Sequence, residues 1–206
     1  MRQSIFFNKF ILTLKDFKKT AYHHYGNRFS SIFKFIYYSL FKINTFVIIN
    51  FDLSKKTPDY PLDSDFTVVK PTLAELEEYR KGKSLPREFY YDQIHGVKTC
   101  YIVLCEGELA YIHWIYVKDD YNRFLKLNDG TFEFNYNTTL PPFRGRGLMG
   151  KMFVYILNDQ KKYGFQKAVG VINLQNVPAL KSAYRAGFEE FGRIKTFGPF
   201  NRKYKI

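Results

Sequence analysis

The sequence predicts an α/β domain built on a mixed sheet, with a helical extension in front of it. Three observations predict this fold class. Strand-like segments follow one another between residues 66 and 140, two further units each lead from a strand into a helix, and glycines separate the segments. This order of elements is typical of a sheet that carries helices on its faces. The first quarter of the chain instead has apolar residues at helical spacing.

The N-terminal extension is predicted to cover residues 1–57. Apolar residues recur every three or four positions in two segments that a Gly-Asn pair separates, which indicates two amphipathic helices. An apolar run then predicts a short strand, and prolines among charges predict a linker. These four elements are residues 4–22, 27–42, 46–51 and 54–65. We place a domain boundary between residues 57 and 58 and expect one domain over residues 58–206.

The elements of that domain are predicted from turn and capping signals. Thr72 is followed three residues later by Glu75, the spacing of a capping box that starts a helix. Gly107 and Gly130 mark turns between strands, and Gly164 is placed to end a helix. The predicted strands are residues 66–70, 99–104, 109–117, 131–140, 167–172, 188–195 and 200–205. The predicted helices are one that starts after Thr72 and those over residues 86–94, 148–163 and 176–187.

The chain is strongly basic, and the excess charge is concentrated near its N-terminus. The 206 residues carry a net charge of +13, and the first 50 contain eight Lys and Arg against one Asp. Such asymmetry favours an anionic partner. The extension has three interpretations: packing on the domain or on a second copy in a homodimer, contact of residues 1–42 with anionic lipid, or contact with nucleic acid. We favour them in that order, since no RNA-binding motif is present.

The cysteine content indicates a reducing compartment. The sequence contains two cysteines, Cys100 and Cys105. On one strand their side chains would point to opposite faces, which disfavours a disulfide between them. Their spacing fits no zinc motif, and we expect no metal. The sequence gives no sign of a secretory signal or of an apolar stretch of about 18 residues. We expect a cytoplasmic protein that sits at the inner membrane surface if its extension binds lipid.

The segment from Leu140 to Lys151 reads LPPFRGRGLMGK and joins a predicted strand to a predicted helix. A glycine-rich turn at the start of a helix presents unpaired backbone N–H groups, and the helix dipole favours negative charge there. Arg144 and Arg146 add cations beside these groups. The segment therefore predicts a phosphate-binding loop, although a tight turn with surface arginines has the same pattern.

Residues 144–149, RGRGLM, resemble the (Arg/Gln)-x-x-Gly-x-(Gly/Ala) loop of GCN5-related N-acetyltransferases, which binds the pyrophosphate of acetyl-CoA. Residues 169–188, VGVINLQNVPALKSAYRAGF, resemble the second signature of this family, and the order and spacing of the two motifs agree. Met149 departs from the usual Gly or Ala. The resemblance implies the family fold, acetyl-CoA as co-substrate, and a set of cofactor-binding residues: Thr139, Leu140, Arg144, Gly145, Arg146, Gly147, Leu148, Met149, Gly150 and Asn176.

The resemblance also implies catalytic residues. A tyrosine of the second signature protonates the CoA thiolate in many family members, which gives this role to Tyr184; core packing is the alternative. Asn176 is a helix N-cap, a CoA contact or both. For the general base the sequence offers Glu133 and His113 and does not choose between them. A lone histidine in an apolar strand, such as His113, is also typical of a buried structural residue.

These observations predict a CoA-dependent N-acyltransferase, in particular an acetyltransferase, that acts on a small amine such as an amino sugar or an envelope precursor. One alternative is a transferase of related fold that takes its donor from aminoacyl-tRNA, which the net charge of +13 and Met149 suggest. Another is a non-catalytic binding protein with a degenerate form of the fold, which Met149 and the lack of an obvious base suggest.

Overall fold

The computed structural model describes residues 29–40, 43–122, 124–197 and 202–203, which include a single sheet with helices on both faces. The strands are β1 Asn44–Asp52, β2 Phe66–Val69, β3 Thr99–Cys105, β4 Glu108–Tyr116, β5 Thr131–Thr139, β6 Lys167–Asn173, β7 Glu189–Phe197 and β8 Arg202–Lys203. The helices are α1 Phe29–Leu40, α2 Leu73–Arg80, α3 Tyr91–His95, α4 Leu148–Lys162 and α5 Val177–Arg185, with 3-10 turns at Arg87–Tyr90 and Pro141–Phe143. The predicted α/β class is confirmed. The helix predicted over residues 4–22 lies outside the described residues.

The sheet is mixed and has the order β2-β3-β4-β5-β6-β1-β7-β8. β2 to β5 form an antiparallel meander, and β6 then pairs parallel to β5. α4 makes the crossover between these two strands, since a parallel pair needs a long connection. β1 is antiparallel to both of its neighbours, β6 and β7. The first strand of the described residues therefore lies between two of the last ones.

The position of β1 shows that the predicted boundary between residues 57 and 58 is wrong. Phe46 pairs with Asn173 on one side and with Ile194 on the other. Alternate residues of the strand are buried in the core: Val47, Ile49 and Phe51. A strand with hydrogen-bonded neighbours on both sides belongs to the sheet, so the domain includes residues from at least 44 onward. Hydrophobic patterning predicts the strand but carries no information about its partners.

Two apolar layers hold the helices against the sheet. α4 and α5 cover one face, around a cluster of aromatic rings that includes Phe132, Phe134, Phe153 and Phe188. The Phe134 and Phe153 rings meet edge to face, with their centroids 4.8 Å apart, a favourable arrangement for aromatic rings. α2 and α3 cover the other face around Trp114, whose indole N–H donates to the Glu88 carbonyl at 2.6 Å. Residues that point to opposite faces of β4 and β5 therefore lie in separate layers.

A β-bulge interrupts the pairing of β4 with β5. His113 pairs with Asn137 and Trp114 pairs with Asn135, so Tyr136 is the additional residue on β5. The φ angle of Tyr136 is +44°, a conformation that is uncommon outside glycine. Bulges of this kind re-aim side chains and are frequent beside active sites. Tyr136 therefore marks a candidate position for a functional site.

The parallel pairing of β5 with β6 ends just before this bulge. The last paired residues are Phe134 and Gly170, and the remainder of β6 pairs only with β1, as far as Asn173 opposite Phe46. Gly170 packs closely on the Ile49 side chain, which a Cβ on Gly170 would approach at 3.2 Å. Because the pairing of β5 with β6 stops at Phe134, the two strands diverge beyond it and a gap opens between their ends.

The helix signals agree with the sequence-based prediction where a cap was identified. The Thr72 hydroxyl accepts a hydrogen bond from the Glu75 N–H at 3.3 Å, and the Glu75 carboxylate accepts from the Thr72 N–H at 2.7 Å. The predicted capping box at the start of α2 is thus confirmed. Among the helices in the described part of the chain, each is too short or too polar to cross a membrane.

Candidate active site

The loop between β5 and α4 has the backbone geometry of an anion-binding turn. Gly145 has a φ angle of +82° and Gly147 one of +70°, values that residues with a Cβ rarely adopt. Gly147 is the N-cap of α4, so the helix begins at Leu148. The N–H groups of a first helical turn have no acceptor within the helix, and the helix dipole makes this end positive. The loop can therefore hold a phosphate group through its backbone.

A cavity of about 220 Å³ lies where β5 and β6 diverge. It is lined by the bulge of β5, the end of β6 and the first turns of α4 and α5. The lining residues that matter for chemistry are Tyr136, Asn137, Met149, Asn173, Asn176 and Ala179. Because Met149 belongs to the first turn of α4, the cavity borders the helix start that follows the glycine-rich loop.

The backbone of β5 faces this gap with the amide of Thr139. The N–H of the next residue, Leu140, donates to the Ala110 carbonyl on β4 at 2.9 Å. Amide directions alternate along a strand, so the N–H and carbonyl of Thr139 point the opposite way, towards β6. The Arg144 Nε donates to the Thr139 carbonyl at 3.1 Å, which agrees with that direction. The Thr139 N–H is therefore placed to bind a ligand in the gap.

Solved structures share this arrangement of elements. The chain is similar to a GCN5-related N-acetyltransferase from Sphaerobacter thermophilus, with a TM-score of 0.52 and 12% identity over 80% of this chain and 54% of that one. For a GCN5-related N-acetyltransferase from Kribbella flavida the TM-score is 0.51, with 12% identity over 78% and 60% of the two chains. For a glucosamine N-acetyltransferase region of a fungal multi-domain β-N-acetylglucosaminidase it is 0.56, with 13% identity over 82% and 23%.

The chain has the fold of the GCN5-related N-acetyltransferases. It spans about half the length of the first solved structures that it matches, 54% and 53%. No protein-family model matches the sequence, and no curated protein sequence matches it significantly. At this level of identity the likeness is one of fold, so the chemistry has to be argued from the residues that line the gap.

Within the acetyltransferase fold, the residues predicted to bind the cofactor differ in what they can offer to a ligand. Gly145, Gly147 and the first turn of α4 can offer backbone N–H groups. The Leu148 side chain is buried in the core with 2% exposure, so only its backbone N–H is available to a ligand. The Leu140 N–H is already used by the sheet. The Met149 side chain lines the cavity, so it narrows the space next to the loop.

Asn176 combines the two predicted properties of its position. Its side-chain oxygen accepts a hydrogen bond from the Ala179 N–H at 3.3 Å, which makes it the N-cap of α5. The same residue lines the cavity. Since the cap holds its side chain in one orientation, Asn176 is a fixed part of the wall.

Glu133 has the properties of a general base beside the gap. Its carboxyl is buried, with 1% exposure, and accepts a hydrogen bond from the Asn122 amide. Burial raises the pKa of Glu133 to about 7, although the hydrogen bond from Asn122 opposes this shift. Side chains two residues apart on a strand share a face, and Asn135 lines the cavity. Glu133 therefore lies on the same face of β5 as the lining residue Asn135 without lining the cavity itself, and its pKa is suited to proton transfer near neutral pH.

His113 is on the other face of the sheet and is not part of this site. It is fully buried, its Nδ1 shares a 2.7 Å hydrogen bond with the Tyr111 hydroxyl, and its ring packs against Phe134 and Phe153 at 5.0 and 5.4 Å. Burial lowers the pKa of His113 to about 3, so the ring is neutral. The structural interpretation of His113 is correct, and its assignment as a base is wrong.

Tyr184 is not brought to the cavity either. On α5, Ala179 lines the cavity, and a residue five positions later lies about 140° around the helix axis. Tyr184 accordingly has 43% of its side chain exposed. It contributes a hydrogen bond that lowers the pKa of Glu190, although Arg193 is the main cause of that shift. The preceding residue, Ala183, faces the core. This placement does not support the predicted role of Tyr184 as proton donor.

Arg146, predicted to bind the cofactor, is occupied by two carboxylates. Its guanidinium donates to Asp65 at 2.7 and 2.8 Å and to Asp63 at 3.1 Å, and it stacks on the Phe66 ring at 4.0 Å. Hydrogen bonds from Arg146 lower the pKa of Asp65 to about 2. Asp63 also pairs with Lys151. No local sequence signal predicts these ion pairs, since the acidic partners lie some eighty residues earlier.

An aromatic wall on the α3 side of the gap was also missed by the sequence analysis. The bulged Tyr136 lies 4.2 Å from Tyr91 and 5.2 Å from His95, measured between ring centroids. The His95 Nδ1 and the Tyr116 hydroxyl share a hydrogen bond of 2.9 Å. Tyr116 is opposite Glu133 in the pairing of β4 with β5. The wall therefore adjoins the candidate base, and no local sequence signal marks the bulge that brings Tyr136 into it.

Proposed function

We propose that the protein is a CoA-dependent acyltransferase, in particular an acetyltransferase, that modifies the amine of a small molecule. One observation supports this most strongly. The end of β5 and the helix start of α4 both border the gap, where the 220 Å³ cavity lies against Asn137 and Met149. An acyl-CoA needs a donor to the thioester oxygen, room for the acyl group and a site for its diphosphate. These three features offer one element for each need.

The reaction requires little besides positioning and proton transfer. The amine nitrogen attacks the thioester carbon, the new C–N bond forms, and the C–S bond breaks as electrons return from the carbonyl oxygen. The Thr139 N–H donates to that oxygen while it carries negative charge, which lowers the barrier. The thiolate of CoA leaves and takes up, through water in the gap, the second proton that the nitrogen loses as it becomes an amide, since Tyr184 faces away from the gap.

Glu133 is the proposed general base. An ammonium group is not nucleophilic, so one proton must leave the acceptor before attack. A carboxyl with a pKa of about 7 is ionised in part at neutral pH and is a stronger base than an ordinary Glu. It accepts the proton directly or through one water molecule and releases it to solvent afterwards.

The proposed acceptor is a small amine, with an amino sugar as the specific case. Tyr136 lines the cavity with an aromatic ring near a buried carboxyl, and the Tyr91 and His95 rings pack against it. Ring faces attract an ammonium group, and a carboxylate strengthens that preference. The fungal region to which the chain is similar in fold is named a glucosamine N-acetyltransferase, which agrees with this choice of acceptor.

The location of the protein is proposed from α1 and the charge of the first fifty residues. Phe33 and Tyr37 of α1 are 61% and 56% exposed, and Lys34 lies between them. A helix with exposed aromatic residues among cations has the chemistry of an interfacial helix. We therefore infer a cytoplasmic protein that contacts the inner membrane surface through this helix.

Thermal unfolding of the full chain with candidate donors tests the proposed function. Acetyl-CoA at 100 times its dissociation constant should stabilise the protein by about 2.7 kcal/mol. Stabilisation by aminoacyl-tRNA and not by acetyl-CoA would support the tRNA-dependent alternative. If neither stabilises the protein, the degenerate binding protein is the better account. Transfer of radiolabelled acetyl groups to glucosamine and to simple alkylamines would then identify the acceptor class.

A further inference from the structure

Residues 56–65, which we call the acidic strap, cross the start of α4 on the way from β1 to β2. Pro58 reaches the end of α5, where a Cβ on Gly187 would lie 3.4 Å from its ring carbons. Tyr60 lies next to the Arg185 guanidinium, 4.3 Å from ring centroid to Cζ. The acidic strap thus spans the ends of both helices that border the proposed donor site.

Tyr60 takes the space above the first turn of α4. A Cβ on Gly147 would lie 2.6 Å from the Tyr60 hydroxyl oxygen, and one on Gly150 would lie 2.8 Å from its ring. Both distances are shorter than real Cβ contacts, so the close approach of the acidic strap depends on these glycines.

The carboxylates of the acidic strap hold the two cations nearest this helix start. Asp65 accepts two hydrogen bonds from Arg146, at 2.7 and 2.8 Å, and Asp63 accepts a third at 3.1 Å. Asp63 also pairs with the ammonium of Lys151, a residue whose N–H donates to the Gly147 carbonyl one turn back. The side chains of Asp63 and Asp65 are 41% and 36% exposed, so water reaches the ion pairs.

The packing beneath the acidic strap is incomplete. A cavity of about 450 Å³ separates residues 56–62 from the face of α4 that carries Lys151, Val154 and Asn158. The Thr57 hydroxyl donates to the Asn158 side chain at 3.0 Å across this space. Tyr60 and Leu62 pack against the core, but the ion pairs of Asp63 and Asp65 are solvent-accessible. Polar contacts that water reaches open at low free energy, so these ion pairs can break while the apolar residues stay packed.

We propose that the acidic strap is an internal competitor of the donor: Asp63 and Asp65 occupy Arg146 and Lys151, and the diphosphate of CoA displaces them. Carboxylates and phosphates bind the same guanidinium fork. Two phosphate charges at the start of α4 would also repel the nearby carboxylates, which weakens the grip of the acidic strap. This inference rests on the proposed use of CoA. It predicts that the parent protein binds CoA with lower affinity than it would if Asp63 and Asp65 did not occupy the two cations.

Calorimetric titration with CoA tests the competition. The variant Asp63→Asn/Asp65→Asn should bind CoA about fivefold to tenfold more tightly than the parent protein, because the cations are released. The control Asp59→Asn/Asp119→Asn removes the same charge from two exposed carboxylates outside these ion pairs, and its affinity should change less than twofold. An equal gain in both variants would assign the effect to net charge and overturn the inference.

The remaining outcomes separate this inference from the proposed function. If the parent binds CoA and Asp63→Asn/Asp65→Asn binds it equally or more weakly, the competition is wrong and the donor site stands. If neither protein binds CoA, the proposed function fails together with the inference. Should the variant not fold, hydrogen exchange in the parent decides: saturating CoA should speed amide exchange in residues 56–65, and slower exchange there would overturn the competition.

Discussion

Tyr60 and Gly147 are in contact at the start of α4, where a Cβ on Gly147 would lie 2.6 Å from the Tyr60 hydroxyl oxygen. The φ angle of Gly147, +70°, separately favours glycine. The protein's own packing and backbone conformation therefore require glycine at position 147, whether or not a ligand binds there. A substitution of Gly147 that weakens CoA binding does not by itself demonstrate contact with a diphosphate.

Gly145 provides the control that separates backbone strain from the clash with Tyr60. It has a φ angle of +82°, and nothing lies within 4 Å of its Cβ position. Gly145→Ala should lower the free energy of unfolding by about 1 kcal/mol, and Gly147→Ala by at least about 1 kcal/mol more. Adding Tyr60→Phe to Gly147→Ala should recover part of that difference, as chemical denaturation would measure. Equal losses for the two alanine variants would contradict the contact.

Replacement of Glu133 by Gln should remove the general base while it preserves shape. In the parent, kcat/KM should include an ascending limb with a pKa of about 7, in addition to the ionisation of the acceptor amine. Glu133→Gln should lower kcat by about 10²- to 10⁴-fold, and that limb should disappear from the pH profile. Glu108→Gln, on an exposed side chain, is the matched control. Retention of the limb in Glu133→Gln would exclude Glu133 as the base.

The same carboxyl should impose a pH dependence on stability. Its pKa in the folded protein is about 7, above the ordinary value of 4.5, because burial disfavours the charge. The folded state thus keeps a proton that the unfolded state loses, and stability falls as pH rises from about 4.5 to about 7. Glu133→Gln should become more stable than the parent across this window, by up to about 3 kcal/mol. Thermal unfolding of both proteins at several pH values is the measurement. If Glu133 is not buried, the difference in stability between the parent and Glu133→Gln should not change with pH.

Tyr184→Phe should leave catalysis almost unchanged, since Tyr184 is 43% exposed and turned away from the cavity. The resemblance to the acetyltransferase signature predicts instead a loss of about 10²-fold in kcat, as expected for a general acid. Steady-state kinetics of this variant distinguishes the two. A loss of that size would mean that α5 turns in the donor complex, whereas activity within twofold of the parent would agree with the position seen here.

Two truncations should behave differently because β1 is part of the sheet. Removal of residues 1–43 keeps β1 and should give a folded, soluble protein, whereas removal of residues 1–57 should not. Flotation with anionic vesicles then tests the interfacial role of the extension. The parent should float at 0.1 M salt and less at 1 M, where the Debye length falls from about 10 Å to about 3 Å. Flotation of the variant that lacks residues 1–43 would place the lipid contact on the sheet domain.

Local signals in the sequence predicted local structure well. The capping box at Thr72, the cap at Asn176 and the turn before Leu148 each depend on residues a few positions apart. Such signals are encoded in neighbouring side chains, so one sequence suffices to detect them. The strand–turn–helix geometry around Gly147 follows from the same kind of signal and was predicted for this reason.

Features that depend on distant pairing were not predictable in this way. The partners of β1 lie more than a hundred residues away, and the bulge at Tyr136 arises from its register with β4. Tyr184 illustrates a third limit, because a shift of one residue on a helix turns a side chain by about 100°. A motif can therefore place the helix correctly without determining which of its side chains faces the site.

The insertion of β1 between β6 and β7 has a consequence for the order in which the chain can fold. β1 is synthesised before the other strands of the described residues, yet its hydrogen-bonding partners, residues 167–173 and 189–196, emerge more than a hundred residues later. Until then its apolar side chains and both of its edges remain unsatisfied, and such segments associate readily with other chains. Contacts this far apart in sequence also slow folding. During translation, the nascent protein should therefore depend on chaperones until its final strands have left the ribosome.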